Sequence, residues 1–202
     1  PYYRMVYGEG DWLAGVVIDR FDDCLVVQIS TQAIEVVKAE LIAALHEVFG
    51  SQIRILLKND GKGRQIEQLP EYVETIGAPI DSLTVIENGV RFAAPIDGQK
   101  TGWFYDHRAG RAWLNSFAKG RSVLDVLSYI GGWGVQAAAH GASRVVCTDA
   151  SAKAGEAVLA NAALNGLNQV SFVESDAFAF LKQPVNEQYD VVVLDPPALI
   201  QK

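Results

Sequence analysis

The chain has 202 residues, half of them hydrophobic and a fifth charged, with a mean hydropathy of +0.11; this excludes disorder and leaves one large domain or two small ones. Its formal charge is −7, and the excess lies in front, where residues 1–94 hold 8 basic and 14 acidic side chains, a balance opposite to that of most nucleic-acid binders. No apolar run approaches the ~18 residues of a membrane span, nothing reads as a signal peptide, and Cys24 and Cys147 make neither a disulfide framework nor a zinc site, so a cytoplasmic protein without membrane or metal is expected.

Residues 15–20 and 24–30 alternate apolar and polar side chains around Phe21-Asp22-Asp23, which predicts a hairpin with an acidic turn. From Thr31 the period changes. Ile34, Val37, Leu41, Leu45 and Val48 recur at helical steps, with Ser30 or Thr31 as N-cap and Gly50 past the end. Residues 53–58 read as a strand and 59–63 as a turn. A second hairpin, 83–87 with 90–94, turns at Asn88-Gly89, a strong type I′ signal. These elements predict a small α+β domain over residues 1–94.

After Pro95 a helix over 108–118 precedes four strand–helix alternations. The strands fall at 122–127, 144–148, 170–173 and 189–194, and the helices at 133–140, 152–164 and 177–181. The pattern predicts an α/β fold: a doubly wound, Rossmann-like parallel sheet over residues 95–202. Only four strands are present where five or more are usual, so the sequence reads as cut within that domain.

Motifs that carry chemistry cluster at the carboxyl ends of these strands. The first strand leads from Asp125 through Ser128 and Tyr129 to Gly131, Gly132 and Gly134. Glycines there let a ligand approach the backbone at a helix start; the alternative is a turn needing positive φ. Gly132-x-Gly134-x-x-Ala137 also fits a dinucleotide pattern. Asp125 argues for S-adenosylmethionine instead, because a carboxylate repels a pyrophosphate and tolerates a sulfonium and an ammonium. Asp149, 15 residues after Gly134, is placed for ribose hydroxyls, or else caps the next helix, a task open to Ser151. Asp176 meets an adenine amine or caps the helix that begins at Ala177. Asp195-Pro196-Pro197 projects one carboxylate rigidly from the fourth strand.

Taken in order, Gln99-Lys-Thr-Gly-Trp-Phe-Tyr-Asp-His-Arg108, Val123-Leu-Asp-Val-Leu-Ser-Tyr-Ile-Gly-Gly, Asn161-Ala-Ala-Leu-Asn-Gly and Asp195-Pro-Pro-Ala resemble the class I methyltransferases that modify C5 of a cytosine in large-subunit ribosomal RNA. The front, with Tyr3-Arg-Met-Val-Tyr-Gly-Glu-Gly-Asp, resembles that family's central domain. The resemblance implies that Gln99, Lys100, Phe104 and Arg108 enclose the methyl donor and that Ser128, Tyr129 and Gly131 contact its amino-acid part. It further implies Asp149 with Ala150 at the ribose, Asp176 with Ala177 at the adenine, and Asp195 facing the target base beside Pro196 and Pro197. An RNA substrate, a homodimer, a PUA domain before this segment and a catalytic cysteine beyond it belong to the same implication. Trp103, Ile130, Trp133 and Leu199 depart from the usual pattern.

C5 of cytosine becomes nucleophilic when a thiolate adds at C6 while an acid holds the ring N3, a role open to Asp195. Cys147 in an apolar strand and Cys24 at a strand start read as core filler or an incidental surface thiol rather than as the nucleophile. His107 either contacts substrate or is an exposed histidine at a helix start; His46 and His140 have no ligand partners. Lys58, Lys62, Arg64, Lys100, Arg108 and Arg111 are expected to be scattered solvated charges rather than a basic patch. The rival readings are an NAD(P)-dependent oxidoreductase, a non-catalytic donor-binding or scaffold module, and methylation of an exocyclic amine, against which the small Ala198 argues.

Overall fold

A computed structural model describes residues 1–98, 101–182 and 187–196. The chain divides into two units, one formed by residues 1–85 with 94–105 and the other by 86–93 with 106–202.

The first unit is built on a five-stranded sheet in the order β1-β2-β3-β4-β5. Its strands are β1 (Tyr2–Tyr7), β2 (Val16–Phe21), β3 (Cys24–Ile29), β4 (Arg54–Asn59) and β5 (Tyr72–Ile76). The expected first hairpin is β2–β3, antiparallel and turning through Asp22 at φ 56. β3 and β4 run parallel, which requires a crossover, and helices α1 (Gln32–Val36) and α2 (Lys38–Phe49) supply it. The core lies between sheet and crossover, where Val16, Ile18, Leu25, Val27, Ile29, Ile55 and Leu57 meet Leu45, with Ile34, Leu41, Ile42 and Phe49 packed around them.

Three expectations change here. The helix predicted as one piece breaks at Val37, whose φ of −102 and ψ of 22 leave the helical region. That break resets the helical phase, so Val37 and Val48 are exposed and Ile42 and Phe49 take their places in the core. Strands β1 and β5 and the short α3 (Gly63–Ile66) are additions. Finally, Lys58, Arg64 and Arg111 are not solvated charges. They are buried, at 3%, 1% and 3% exposure, each against a carboxylate: Asp60, Glu35 and Glu87 respectively.

β6 (Ser82–Glu87) and β7 (Val90–Pro95) form the second hairpin as a two-stranded sheet. Asn88 at φ 52 and Gly89 at φ 80 give the two positive φ angles of a type I′ turn.

The second unit contains α4 (Arg108–Asn115) and a sheet of β8 (Ser122–Val126), β9 (Arg144–Asp149), β10 (Val170–Glu174) and β11 (Val191–Leu194). The order is β10-β9-β8-β11, and every pairing is parallel. Helices α5 (Gly134–Ala139), α6 (Ala152–Leu164) and α7 (Ala177–Leu181) alternate with the strands. This is the expected Rossmann-like arrangement. Its chain direction switches at β8, which lies between β9 and β11, and such a switch opens a crevice at the strands' carboxyl ends.

The hairpin tip is fastened into this unit by buried polar groups. Glu87 accepts from Arg111 Nε at 2.6 Å and Gln136 Nε2 at 3.0 Å. Gln136 Oε1 in turn accepts from Asn88 Nδ2 at 2.9 Å and Asn115 Nδ2 at 3.1 Å. Farther along the hairpin, Asn161 on α6 accepts from Ala93 N at 2.8 Å and donates to Ile130 O at 3.1 Å.

Candidate functional site

The site grows from the loop after β8. Leu127 at φ 63, Tyr129 at φ 49 and Gly131 at φ 84 put three of five successive residues in the left-handed region. For two large side chains that backbone costs about 1–3 kcal/mol each and persists only where surroundings enforce it. The enforcement is visible. Ser128 N donates to Thr148 O at 3.0 Å, Gly131 N to Ser128 O at 2.8 Å, and Tyr129 N to Asp149 Oδ2 at 3.0 Å.

Asp125 holds the far end of the loop. It is fully buried, and its Oδ2 accepts from Gly134 N at 2.8 Å where α5 begins. A Cβ on Gly134 would stand 2.6 Å from Cys147 Sγ and 3.2 Å from that same Oδ2, so only glycine lets helix, strand and carboxylate meet. Burial pushes the Asp125 pKa up to about 7; the Gly134 N–H opposes it, while Asp195 and Asp149 add to the rise. Asp125 Oδ1 is buried without a hydrogen-bond partner. Both cysteines are buried. Burial raises the Cys24 thiol to about 12 and Cys147 well above its ordinary value, so neither is a thiolate near neutral pH.

Asp149 ends β9, and its second oxygen, Oδ1, accepts from Ser151 N at 3.1 Å across the exposed Ala150. Ser151 takes the capping task, its Oγ accepting from Ala154 N at 3.3 Å, so Asp149 faces the loop rather than the helix. Asp176 caps α7, accepting from Ala179 N at 2.9 Å, with Ala177 opening the helix.

Asp195 follows β11 and is held from two sides. Trp133 Nε1 donates to its Oδ2 at 3.0 Å, and His107 Nε2 lies 3.4 Å from its Oδ1. The indole lies on the start of α4. A Cβ on Gly110 would meet Trp133 Cη2 at 2.9 Å, the Arg111 guanidinium stands 5.7 Å over the ring, and the His107 ring is 5.7 Å away. Trp133 appears in the sequence only as a departure within a glycine run; an indole at a helix start beside a cleft is the signal that marks it. Arg108 Nε reaches Glu87 at 3.3 Å, and Pro196 follows Asp195, exposed. Phe104 belongs to the first unit and is half-buried. Gln99, Lys100 and Pro197 lie outside the described residues. Among those described, no group of His, Cys, Asp and Glu could hold a metal ion.

Thus carboxylates gather at the carboxyl ends of β8, β9 and β11 around a strained loop. The arrangement fits a ligand bearing positive charge and hydroxyl groups: Asp125 has an oxygen without a donor, and Asp149 stands at the ribose-reading position of such folds. The signature of the S-adenosylmethionine-dependent methyltransferases matches residues 8–202.

The chain belongs to that methyltransferase family.

Over 98% of its length this methyltransferase chain is 40% identical to a protein of Methanocaldococcus jannaschii named as a candidate ribosomal RNA large subunit methyltransferase. It is 35% identical, over 96%, to ribosomal RNA large subunit methyltransferase I of Shewanella amazonensis. These alignments take in 52% and 51% of the two relatives, so the chain spans about half the length of the curated relatives it matches. A candidate methyltransferase solved with S-adenosylhomocysteine superposes with a TM-score of 0.84 at 26% identity, over 96% of this chain and 51% of that one. No helix among the described residues is long and apolar enough to cross a membrane.

Proposed function

We propose that this chain carries the methyl-donor site of an S-adenosylmethionine-dependent enzyme that methylates C5 of a cytosine in large-subunit ribosomal RNA. The observation that carries the reading is the loop 127–131, held in a strained form between Asp125, Thr148 and Asp149. Such strain at a strand end marks a binding loop prepared before its ligand arrives. The names of the relatives support large-subunit ribosomal RNA as substrate.

When bound, S-adenosylmethionine supplies an electrophilic methyl group on a sulfonium. The chain's own part is to bind and orient. Asp149 offers carboxylate oxygens to ribose hydroxyls, Asp176 offers one to the adenine amine, and the peptide groups of Ser128, Tyr129 and Gly131 meet the amino-acid end. Asp195, fixed by Trp133 and His107, presents a carboxyl group to N3 of the target base. The thiolate that adds at C6 comes from a residue other than Cys24 and Cys147, whose raised pKa values keep both protonated. The PUA domain and homodimer that the family resemblance implies, and the cytoplasmic location expected from composition, belong to the same proposal.

Titration calorimetry with S-adenosylhomocysteine, with NADH in parallel, tests the donor site. Saturable binding of the former is expected, weakened ~10-fold or more in Asp149→Ala, the equivalent of a hydrogen bond to a charged group. Binding of NADH alone overturns the reading in favour of a dinucleotide enzyme.

A further inference from the structure

The outer side of α4 is aromatic and ends in a basic turn, although the chain as a whole carries −7. Its inner side is buried through Arg111, Leu114 and Asn115. On the outer side Trp113 is 70% exposed, and Phe117, four residues on, braces it edge-on with ring centroids 4.8 Å apart at 74°. An indole left open to this degree on a helix whose other side is packed marks a contact surface. The chain then turns at Gly120, φ 75, and is pinned there: Gly120 N donates to Gly141 O at 2.8 Å and Ser143 N to Arg121 O at 2.9 Å. This turn carries two exposed cations. The Arg121 guanidinium stands 5.8 Å over the Phe117 ring, and the Lys119 stem runs beside Gly141, where an added Cβ would lie 3.4 Å from Lys119 Cγ.

Charge selects the occupant. Residues 107–148 hold Arg108, Arg111, Lys119, Arg121 and Arg144 against one acid, Asp125, and that acid is fully buried. Arg108 and Arg111 are paired with Glu87 and Arg144 with Glu187, which leaves Lys119 and Arg121 without a salt bridge among the described residues. Asp190, whose charge Arg121 feels, is bonded to Ser122 N and Oγ at 2.7 and 2.8 Å. A flat apolar face beside two cations fits a polyanion that carries aromatic rings. Single-stranded RNA has both parts: phosphates for the ammonium and guanidinium, and an unstacked base for the indole. An acidic peptide satisfies the cations but leaves Trp113 bare, and duplex RNA keeps its bases within its own stack. α4 also leads to the proposed target-base carboxyl. Its eight residues, about 12 Å, run back from this patch to the N-cap His107, whose Nε2 lies 3.4 Å from Asp195 Oδ1.

We propose that Trp113, Lys119 and Arg121 dock a single-stranded stretch of the RNA substrate flanking the target base, at the end of α4 away from Asp195. The inference rests on RNA being the substrate. The test is fluorescence anisotropy of a labelled single-stranded RNA oligonucleotide titrated with the chain at several salt concentrations, beside a duplex of the same length. Saturable binding is expected, tighter for the single strand. Trp113→Ala removes the stacking face without opening the core and should weaken it ~10-fold or more. Lys119→Glu with Arg121→Glu should weaken it as well and reduce the slope of log affinity against log salt by about 1.4, the share of two phosphate contacts on a single strand. Lys62→Glu, at an exposed cation of the first unit, should leave affinity and slope within about twofold of the wild type. Should Trp113→Ala not fold, the double charge variant, at two exposed positions, still decides. Equal weakening by Lys62→Glu, unchanged binding in the patch variants, or equal affinity for the duplex overturns the proposal. A dimer of the chain that Trp113→Ala makes monomeric in sedimentation assigns the face to a second copy and overturns it too. S-adenosylhomocysteine calorimetry on the same sample separates the two readings. Donor binding without single-strand binding defeats only this one, and patch-dependent RNA binding without donor binding defeats only the methyltransferase proposal.

Discussion

A carboxyl group without access to solvent must lose its charge or find partners, and Asp125 has one strong partner, Gly134 N–H. Its pKa of about 7 against an ordinary 3.8 has a direct consequence for stability. The folded state holds this proton more tightly than the unfolded chain does. The stabilising contribution is therefore complete below pH ~4 and is lost as pH rises through ~7, a span worth on the order of 4 kcal/mol. Asp125→Asn keeps an oxygen for Gly134 N–H and has nothing to ionise. Between pH 5 and pH 8 the wild type should lose roughly 2–3 kcal/mol more than this variant, measured by urea unfolding at each pH. Parallel profiles would mean that the carboxyl stays ionised throughout. At this scale the sequence was legible where a residue's partners are local. Asp149 and Asp195 could be placed at strand ends, and Asp125 inside its strand, from the sequence. Arg64 and Arg111 were not recognisable as buried, since the carboxylates of Glu35 and Glu87 lie 29 and 24 positions from them, and Lys58 was missed although its partner Asp60 is two positions away.

Between elements, the Glu87 network does for the hairpin tip what a hydrophobic contact cannot, because it fixes β6, α4 and α5 through directional bonds. Glu87 has no exposed side-chain surface, and Arg111 has 4%. Removing one member of such a pair leaves the other buried and uncompensated, at a cost of about 3–5 kcal/mol. Glu87→Ala should lower the unfolding free energy from urea titration by that amount, and Glu87→Gln, which keeps an acceptor, by less. Equal losses would assign the effect to the lost charge rather than to packing. Elements with a clear period were readable: α6 and α7 have their predicted bounds, and Asn88-Gly89 makes its expected turn. β1 was not, because a register shift between Arg4 and Val6 spoils its alternation. β5 was missed for another reason: its pairing is with β4 alone, at the sheet's edge, and its middle residues are exposed. The break at Val37 has no proline or glycine to announce it.

For the whole molecule, the charge of −7 and the two units set separate expectations. A chain with 17 basic and 24 acidic side chains gains little from counterion release. On the proposed reading the donor is held at the loop after β8, and a ligand that binds only the folded state adds about 2.7 kcal/mol at a hundred times its Kd. That added stability should appear where the ligand is held. Saturating S-adenosylhomocysteine is expected to slow amide hydrogen exchange at Tyr129, Gly131, Gly134 and Ser151, whose N–H groups all belong to the carboxylate-held loop and strand ends. Amides of β2 and β3, the center of the first unit's sheet, should exchange as before. Protection of β2 and β3 with none at the loop would move the donor site to the first unit, and the carboxylates at the ends of β8, β9 and β11 would then need another ligand.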